Sequence, residues 1–344
     1  MTQAYSLGEI AAFLGATLAG DGERRVSGLQ TLAAAQPDQV SFLANPKYRR
    51  ELASTQAAAV ILHPSQVDAC PVPTLALDNP YLGYARLSAW FDPRPQAVPG
   101  IHATAVVHER AQVDASASVG PGAVIEADVR VAAGASIGPH CVLGAGSVIG
   151  RDTRLAARVT LYHGVRIGAR CVIHSGAVIG ADGFGFANDQ GHWHKIAQIG
   201  GVVIGDDVEV GAGTTIDRGA LEDTVIGDGV KLDNQIQVAH NCRIGENSAI
   251  AGCAGLAGSS KIGRRCTIGG GAGIAGHLEL ADDVHVSAMT LVTKSLQKPG
   301  VYSSGTGLSP HQQWKKNVVR FRQLDQLAAR VAALEKSAND KSKG

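Results

Sequence analysis

The sequence predicts a mainly β protein, in which a parallel β-helix built from six-residue repeats is preceded by an α/β domain and followed by an α-helical extension. Three observations predict it. An aliphatic residue recurs at every sixth position from Ile101 through Val107, Val113, Val119, Ile125, Val131, Ile137, Leu143, Ile149, Leu155, Leu161, Ile167 and Ile173 to Ile179. The position four residues further on is small or β-branched, as at Ala105, Ala111, Ala117, Ala123, Val129 and Ala135. With 43 glycines and only 4% aromatic residues, the core must be filled by small and branched side chains. A helix would repeat its apolar residues every three or four positions and an ordinary strand every two. A strict six suits one short strand plus one turn, with the aliphatic inward. Glycine often follows it, as in Ile137-Gly138 and Ile149-Gly150, and is expected to relax the corner.

The period breaks at residues 181–200, resumes at Ile204, Val210 and Ile216, and slips again at residues 221–224. From Ile226 it runs through Leu232, Val238, Ile244, Ile250, Leu256, Ile262, Ile268, Ile274, Leu280 and Val286 to Val292. This pattern resembles the hexapeptide-repeat family, which implies a left-handed triangular β-helix with three hexapeptides per coil. The handedness comes from the resemblance, since parallel crossovers are normally right-handed. Cys141, Cys171, Cys242 and Cys266 occupy the small inward slot and are expected to be packing residues.

Residues 1–98 lack the period. Ser6-Leu7-Gly8-Glu9 reads as a capping box opening a helix whose apolar face carries Ile10, Phe13 and Leu14. Residues 40–43 and 58–62 read as strands, and Pro93, Pro95 and Pro99 as a stiff linker into the β-helix of residues 99–297. In the extension, residues 298–344, Ser309-Pro310 reads as an N-cap and a first-turn proline. Leu324, Leu327, Val331 and Leu334 have the spacing of a coiled-coil seam, with Trp314, Val318 and Phe321 as a second stripe. The helix either packs on its own subunit or forms an oligomer seam. The last ten residues are expected to be disordered.

A net charge of +1 gives no reason to expect nucleic acid or an anionic membrane as partner. The first twenty residues lack a basic start followed by an apolar run, and no apolar stretch is long enough to span a membrane. The six cysteines show no CxxC spacing, which fits a reducing cytoplasm.

The register selects among twelve histidines. With three hexapeptides per coil, residues eighteen apart are stacked, so Gly258 lies over His240 and Gly276 over Gly258, with His277 adjoining. The two histidines would then share one edge about 10 Å apart, at two coil spacings. His240 is a natural general base near neutral pH, and the Gly258 amide, with no side chain in its way, a natural oxyanion donor. His102, His108 and His140 read as solvated corner residues, and nothing singles out His163, His174 or His285. No His-x4-His pair occurs, so no metal is expected. In the first domain, Ser41-Phe42-Leu43-Ala44-Asn45-Pro46-Lys47-Tyr48 reads as a strand, a cap and a helix start. Its freed amides and Lys47 would favour a phosphate, and Phe42 and Tyr48 could clamp a flat base.

The segment Ser41 to Tyr48, the loop Gly180-Ala181-Asp182-Gly183-Phe184-Gly185-Phe186, the run Asp233 to Asn241, Gly276-His277-Leu278-Glu279 and Val301-Tyr302-Ser303-Ser304-Gly305 together resemble the UDP-3-O-acylglucosamine N-acyltransferase family of lipid A biosynthesis. The resemblance covers nearly the whole chain. It implies transfer of a 3-hydroxyacyl chain from the phosphopantetheine arm of acyl carrier protein to the 2-amino group of UDP-3-O-(3-hydroxyacyl)glucosamine, with no other cofactor. It further implies His240 as base, His277 in substrate or phosphate positioning, Gly258 as oxyanion donor and Asn234 as a residue orienting the pocket. Phe42, Asn45 and Tyr48 would bind uridine, and the site would lie between subunits of a homotrimer. Met289 and Leu291 are candidates for the acyl-pocket floor, and Lys294, Lys298, Lys315, Lys316 and Arg320 for carrier docking. The rival readings are a UDP-N-acetylglucosamine O-acyltransferase, a coenzyme A-dependent acetyltransferase and a non-catalytic nucleotide-sugar-binding scaffold.

Overall fold

The computed structural model describes residues 4–94, 97–305 and 307–341, the last three of these as helical backbone only. The chain forms two compact units, Met1–Gln96 and Ala97–Gly344.

The first unit is built on a five-stranded sheet in the order Thr17–Ala19, Thr74–Ala76, Ala59–Leu62, Gln39–Leu43, Gly28–Leu29. Only the Thr17–Ala19 edge runs antiparallel to its neighbour. Every residue of Ala59–Leu62 is buried, as expected of a central parallel strand covered on both faces. Ile61 joins Leu7, Ile10, Leu75 and Leu87 on one face, while Val60 and Leu62 join Leu32, Leu43 and Leu52 on the other. The helix Leu7–Leu14 opens on the expected capping box: the Glu9 amide donates to Ser6 Oγ and the Ser6 amide to the Glu9 carboxylate. Ile10 and Leu14 are buried, but Phe13 is 44% exposed, covered on one face by the Trp90 ring. Of the linker prolines, Pro93 and Pro99 are exposed and Pro95 lies outside the described residues.

The second unit is a parallel β-helix of three sheets whose two-residue strands carry the six-residue period. Val119 pairs with Ile137 and Ile125 with Leu143, so neighbours up the stack are eighteen residues apart. The inward aliphatics form one continuous core from Ala117 to Leu296. Cys141, Cys171, Cys242 and Cys266 are fully buried within it as free thiols, and burial pushes all four thiols above the usual range, Cys242 to about 11. The two breaks in period are insertions that leave the ladder intact. Ile167 pairs with Ile204 and Ile179 with Ile216, 37 residues apart, around a hairpin of Phe186–Asp189 and His192–Lys195. Ile204 pairs with Ile226, 22 residues apart, around the second.

The corners correct one expectation. The left-handed backbone falls three residues after the aliphatic, at Gly122, Gly134 and Gly146, but also at His140, Asp152, Gln235, Asn241 and His277. The glycine directly after the aliphatic is needed for a different reason. A Cβ on Gly138 would lie 2.6 Å from the Ala156 carbonyl carbon, and one on Gly150 would lie 2.3 Å from the Gly168 oxygen. These glycines let successive corners stack, rather than supply an unusual φ.

The extension also departs from expectation. Pro310, not Ser309, is the N-cap of the helix His311–Arg322, with no side-chain cap, because its extended ψ of 142° keeps it outside the helix. The helix is interrupted at Gln323 and a second one follows at Leu324–Lys341. Helix therefore extends into the segment expected to be disordered, favoured by its Ala, Leu, Glu and Lys content; residues 342–344 lie outside the described residues. Leu324, Leu327, Val331, Leu334, Trp314 and Phe321 are all exposed, so this chain does not bury either stripe; Val318 is half-buried.

Candidate active site

The ladder builds one edge of the second unit around His240. Val238 pairs with Leu256 and Leu256 with Ile274, which stacks His240, Gly258 and Gly276 as the register requires. A Cβ on Gly258 would lie 2.7 Å from both Cε1 and Nε2 of His240, so the imidazole rests on the bare glycine backbone. The neighbouring amides of Ala257 and Ser259 donate to Ile274 O and His240 O. The Gly258 amide has no acceptor among the described residues, while its carbonyl accepts from the His277 amide at 3.0 Å. His277 therefore stands at the corner one coil up, in left-handed backbone (φ +61°) and exposed.

The tautomer of His240 follows from its neighbour. Asn241 Oδ1 accepts from the Ala220 amide at 3.0 Å, and its Nδ2 donates to Glu222 O at 2.9 Å, which fixes the amide orientation. The same Oδ1 lies 3.0 Å from His240 Nδ1, so Nδ1 carries the proton and Nε2 presents a lone pair beside Gly258. That is the tautomer a general base needs. Asn241 lies in the motif run, but sequence alone gave no sign of this role, which depends on backbone partners about twenty residues away.

The 181–200 insertion folds over the same histidine. A Cβ on Gly183 would lie 2.5 Å from His240 Cβ and 3.0 Å from Cδ2, so only glycine permits the crossing. Buried Arg218 holds the root of this loop: Nε donates to Gly180 O at 2.9 Å, and Nη2 and Nη1 hold the carbonyl and ring of His163. Lys195 pairs with Asp182 at 2.7 Å, and that cation holds the Asp182 carboxyl below its ordinary range. Asp217 follows Ile216, the strand partner of Val238, and accepts from Gln237 Nε2 at 2.8 Å. Burial pushes the Asp217 carboxyl up to about 6, against the Gln237 hydrogen bond. His163 and Arg218 stand two residues after Leu161 and Ile216, in the same corner column as His240, with Asp217 beside Arg218, so the ladder itself brings them to this edge.

Other candidates lie elsewhere. Asn234 occupies the preceding corner of the coil, on a different edge, where its Oδ1 accepts from the Ala212 amide at 2.7 Å. It lines a shallow cavity of about 790 Å³ with His174, which pairs with Glu209. Within one chain Asn234 is not brought to His240. His285 donates to or accepts from Thr267, and Met289 and Leu291 are exposed.

In the first unit, Phe42, Asn45 and Tyr48 line one cleft of about 820 Å³ with Thr31, Glu51 and Tyr81. Phe42 stacks on Tyr84 with centroids 3.9 Å apart, which leaves its other face and the 48% exposed Tyr48 to the cleft. The expected phosphate site on freed amides does not form. Pro46 has no amide hydrogen, the Lys47 amide is capped by Asn45 Oδ1, and those of Tyr48 and Arg49 return to Asn45 O and Pro46 O. Any anion here would be met by the side chains of Lys47 and Arg49 instead.

Residues 23–90 match the family model described as UDP-3-O-(3-hydroxymyristoyl) glucosamine N-acyltransferase. Bacterial transferase hexapeptide models match residues 116–151, 146–181 and 223–258, and the hexapeptide repeat of succinyl-transferase matches residues 196–218 and 261–294. The UDP-3-O-acylglucosamine N-acyltransferase of Pseudomonas fluorescens (strain SBW25) is 54% identical over all of this chain and 98% of its own length. The chain belongs to the UDP-3-O-acylglucosamine N-acyltransferase family. The family member of Pseudomonas aeruginosa (strain UCBPP-PA14) is 58% identical over 97% of this chain and 95% of its own length. The UDP-N-acetylglucosamine O-acyltransferase of Moraxella catarrhalis is a more distant likeness, 26% identical over 63% of this chain and 77% of its own, with a TM-score of 0.48. Membership makes the protein an acyltransferase, with both the first-unit cleft and the β-helix edge inside matched segments. Among the described residues, no helix is long and apolar enough to cross a membrane.

Proposed function

We propose that this chain moves a 3-hydroxyacyl group from the phosphopantetheine thioester of acyl carrier protein to the 2-amino group of UDP-3-O-(3-hydroxyacyl)glucosamine, with His240 as general base. The observation that carries the reading is the Asn241-fixed tautomer of His240, whose Nε2 lies over the side-chain-free face of Gly258, a residue whose amide has no acceptor among the described residues. The neutral amine attacks the thioester carbon, and its proton passes to Nε2 as the carbon–nitrogen bond forms. The carbonyl oxygen becomes an oxyanion, which the Gly258 amide meets. Collapse breaks the carbon–sulfur bond, and the thiolate leaves with the proton returned by His240. His277, two coils above His240, positions the substrate or its phosphates. Phe42, Asn45 and Tyr48 hold the uridine, supported by the stacked and exposed aromatic faces of their cleft. Asn234 reaches the His240 site only if a second copy presents it, which agrees with a homotrimer whose subunits share each site. No further cofactor is required, and the reaction belongs in the cytoplasm, where acyl carrier protein resides.

The test is product mass spectrometry with UDP-3-O-acylglucosamine and a 3-hydroxyacyl carrier protein. Wild type should form the diacyl UDP-sugar and release the carrier thiol. His240→Ala should slow turnover by about 10²–10⁴-fold, the usual share of a general base, with an unchanged melting midpoint. Near-full turnover in that variant would remove His240 from the mechanism.

A further inference from the structure

In the first unit, Asn45 caps the 3-10 turn Pro46–Tyr48, which runs directly into the short helix Arg49–Leu52. A 3-10 turn eclipses residues three apart, and a helix keeps them on one face. Asn45, Tyr48 and Glu51 therefore form one row, and all three line the cleft of about 820 Å³. The next row, Pro46 and Arg49, lines a separate cavity of about 450 Å³. Glu51 thus stands in line with two of the residues proposed to hold the uridine.

Its chemistry differs from that of the rest of the cleft. Asn45 Oδ1 is taken by the Lys47 amide at 3.0 Å, so that side chain offers a ligand only the N–H groups of Nδ2. The hydroxyls of Thr31, Tyr48 and Tyr81 can donate or accept. Glu51 has the one charged side chain among the lining residues, and a carboxylate only accepts. It is half-buried, and its carboxylate makes no hydrogen bond or ion pair among the described residues. Water serves it while the cleft is open. A ligand that fills the cleft displaces that water and must supply donors in its place, because stranding a charge is costly.

A uridine nucleotide has few donors to give: N3–H on the base and the 2′- and 3′-hydroxyls on the ribose. Spacing decides between them. Asn45 and Glu51 are separated by the 3-10 turn and the first turn of the helix, roughly 10 Å along the axis. N3–H adjoins the uracil carbonyls, so Asn45 on a carbonyl and Glu51 on N3–H would have to converge on a single base edge. The ribose lies at the other end of the nucleoside, and its paired hydroxyls match the two oxygens of a carboxylate. The acidic residue of dinucleotide-binding folds meets a ribose hydroxyl in the same way.

We infer that Glu51 accepts the 2′- and 3′-hydroxyls of the uridine ribose, so that the cleft selects ribonucleotides. This rests on the uridine-binding role proposed above for Phe42, Asn45 and Tyr48. Sites built to hydrogen-bond a given group reject analogues lacking it, because the protein's own polar atom is then stranded. Glu51 is a binding residue and takes no part in the acyl transfer itself.

Calorimetric titration of the full chain with UDP and with 2′,3′-dideoxy-UDP tests this, since the two share base and diphosphate and differ only in the hydroxyls. Wild type should bind UDP roughly ten- to a hundredfold more tightly than the dideoxy nucleotide. Glu51→Ala should weaken UDP binding by the same factor and leave dideoxy-UDP within about threefold. Glu51→Gln, which keeps one oxygen acceptor without the charge, should lie between. Titration separates the fraction of folded sites from the affinity, so partial unfolding does not imitate this result. Equal weakening of both nucleotides would put Glu51 on the base and overturn the assignment. Unchanged UDP binding, or tighter binding of both, would overturn it as well. Wild-type protein that binds neither nucleotide would instead overturn the uridine-binding role of the cleft.

Discussion

His240 lies between two side chains of opposite behaviour. Asn241 is locked by backbone bonds on both ends of its amide and so sets one tautomer. Asp217 is half-buried, with its carboxyl pushed up to about 6 mainly by burial. Its folded value exceeds its unfolded one, so the native state holds the proton more tightly. Stability is therefore lost as pH rises through the interval from 3.8 to about 6, and stays lost above it. Asp217→Asn keeps an acceptor for Gln237 and removes the buried charge. Its melting midpoint should exceed that of wild type at about pH 7.5, and the difference should close near pH 4. An equal difference at both values would mean that the carboxylate is not the cause. Asp217 was illegible in sequence because an acidic residue just after an inward aliphatic carries no sign of whether its corner is open or covered.

At the scale of elements, the ladder and the inserted loop contribute different things. The ladder is local and periodic, and each inward aliphatic declares its own register, so the stacking of His240, Gly258 and Gly276 could be counted along the chain. The loop has no period. Its position depends on Arg218 holding Gly180 and on Gly183 passing over His240, contacts between residues far apart in sequence. The Asn45 cap was legible, but not that the turn Pro46–Tyr48 after it is a tight 3-10 one, which consumes the amides a longer helix would leave open. Gly183→Ala should displace the loop from the histidine and lower turnover by roughly 10²-fold, the usual penalty for misplacing a reacting group by about an ångström. Its melting curve should be little changed, because the inward core is untouched. Full activity in the variant would show that the loop merely overlies the site.

On the scale of the molecule, the two units have separate cores, and the second ends in helices that expose two apolar stripes. Such stripes are ordinarily covered, and the proposed homotrimer would cover them with copies of themselves. Leu327→Glu combined with Val331→Glu places two charges on one stripe. Sedimentation should show a smaller assembly, with the β-helix melting unchanged; an unaltered mass would take these helices out of assembly. The β-helix itself has a further consequence. Its groups are spaced by whole rungs, each the width of one strand-to-strand step of about 4.8 Å. The insertions at residues 181–200 and 221–224 left every rung in place. Evolution can therefore decorate a corner freely, but can alter the separation of His240 and His277 only in integral jumps. The scaffold behaves as a graduated scale, and fine adjustment of reach must come from side chains and inserted loops, never from the frame.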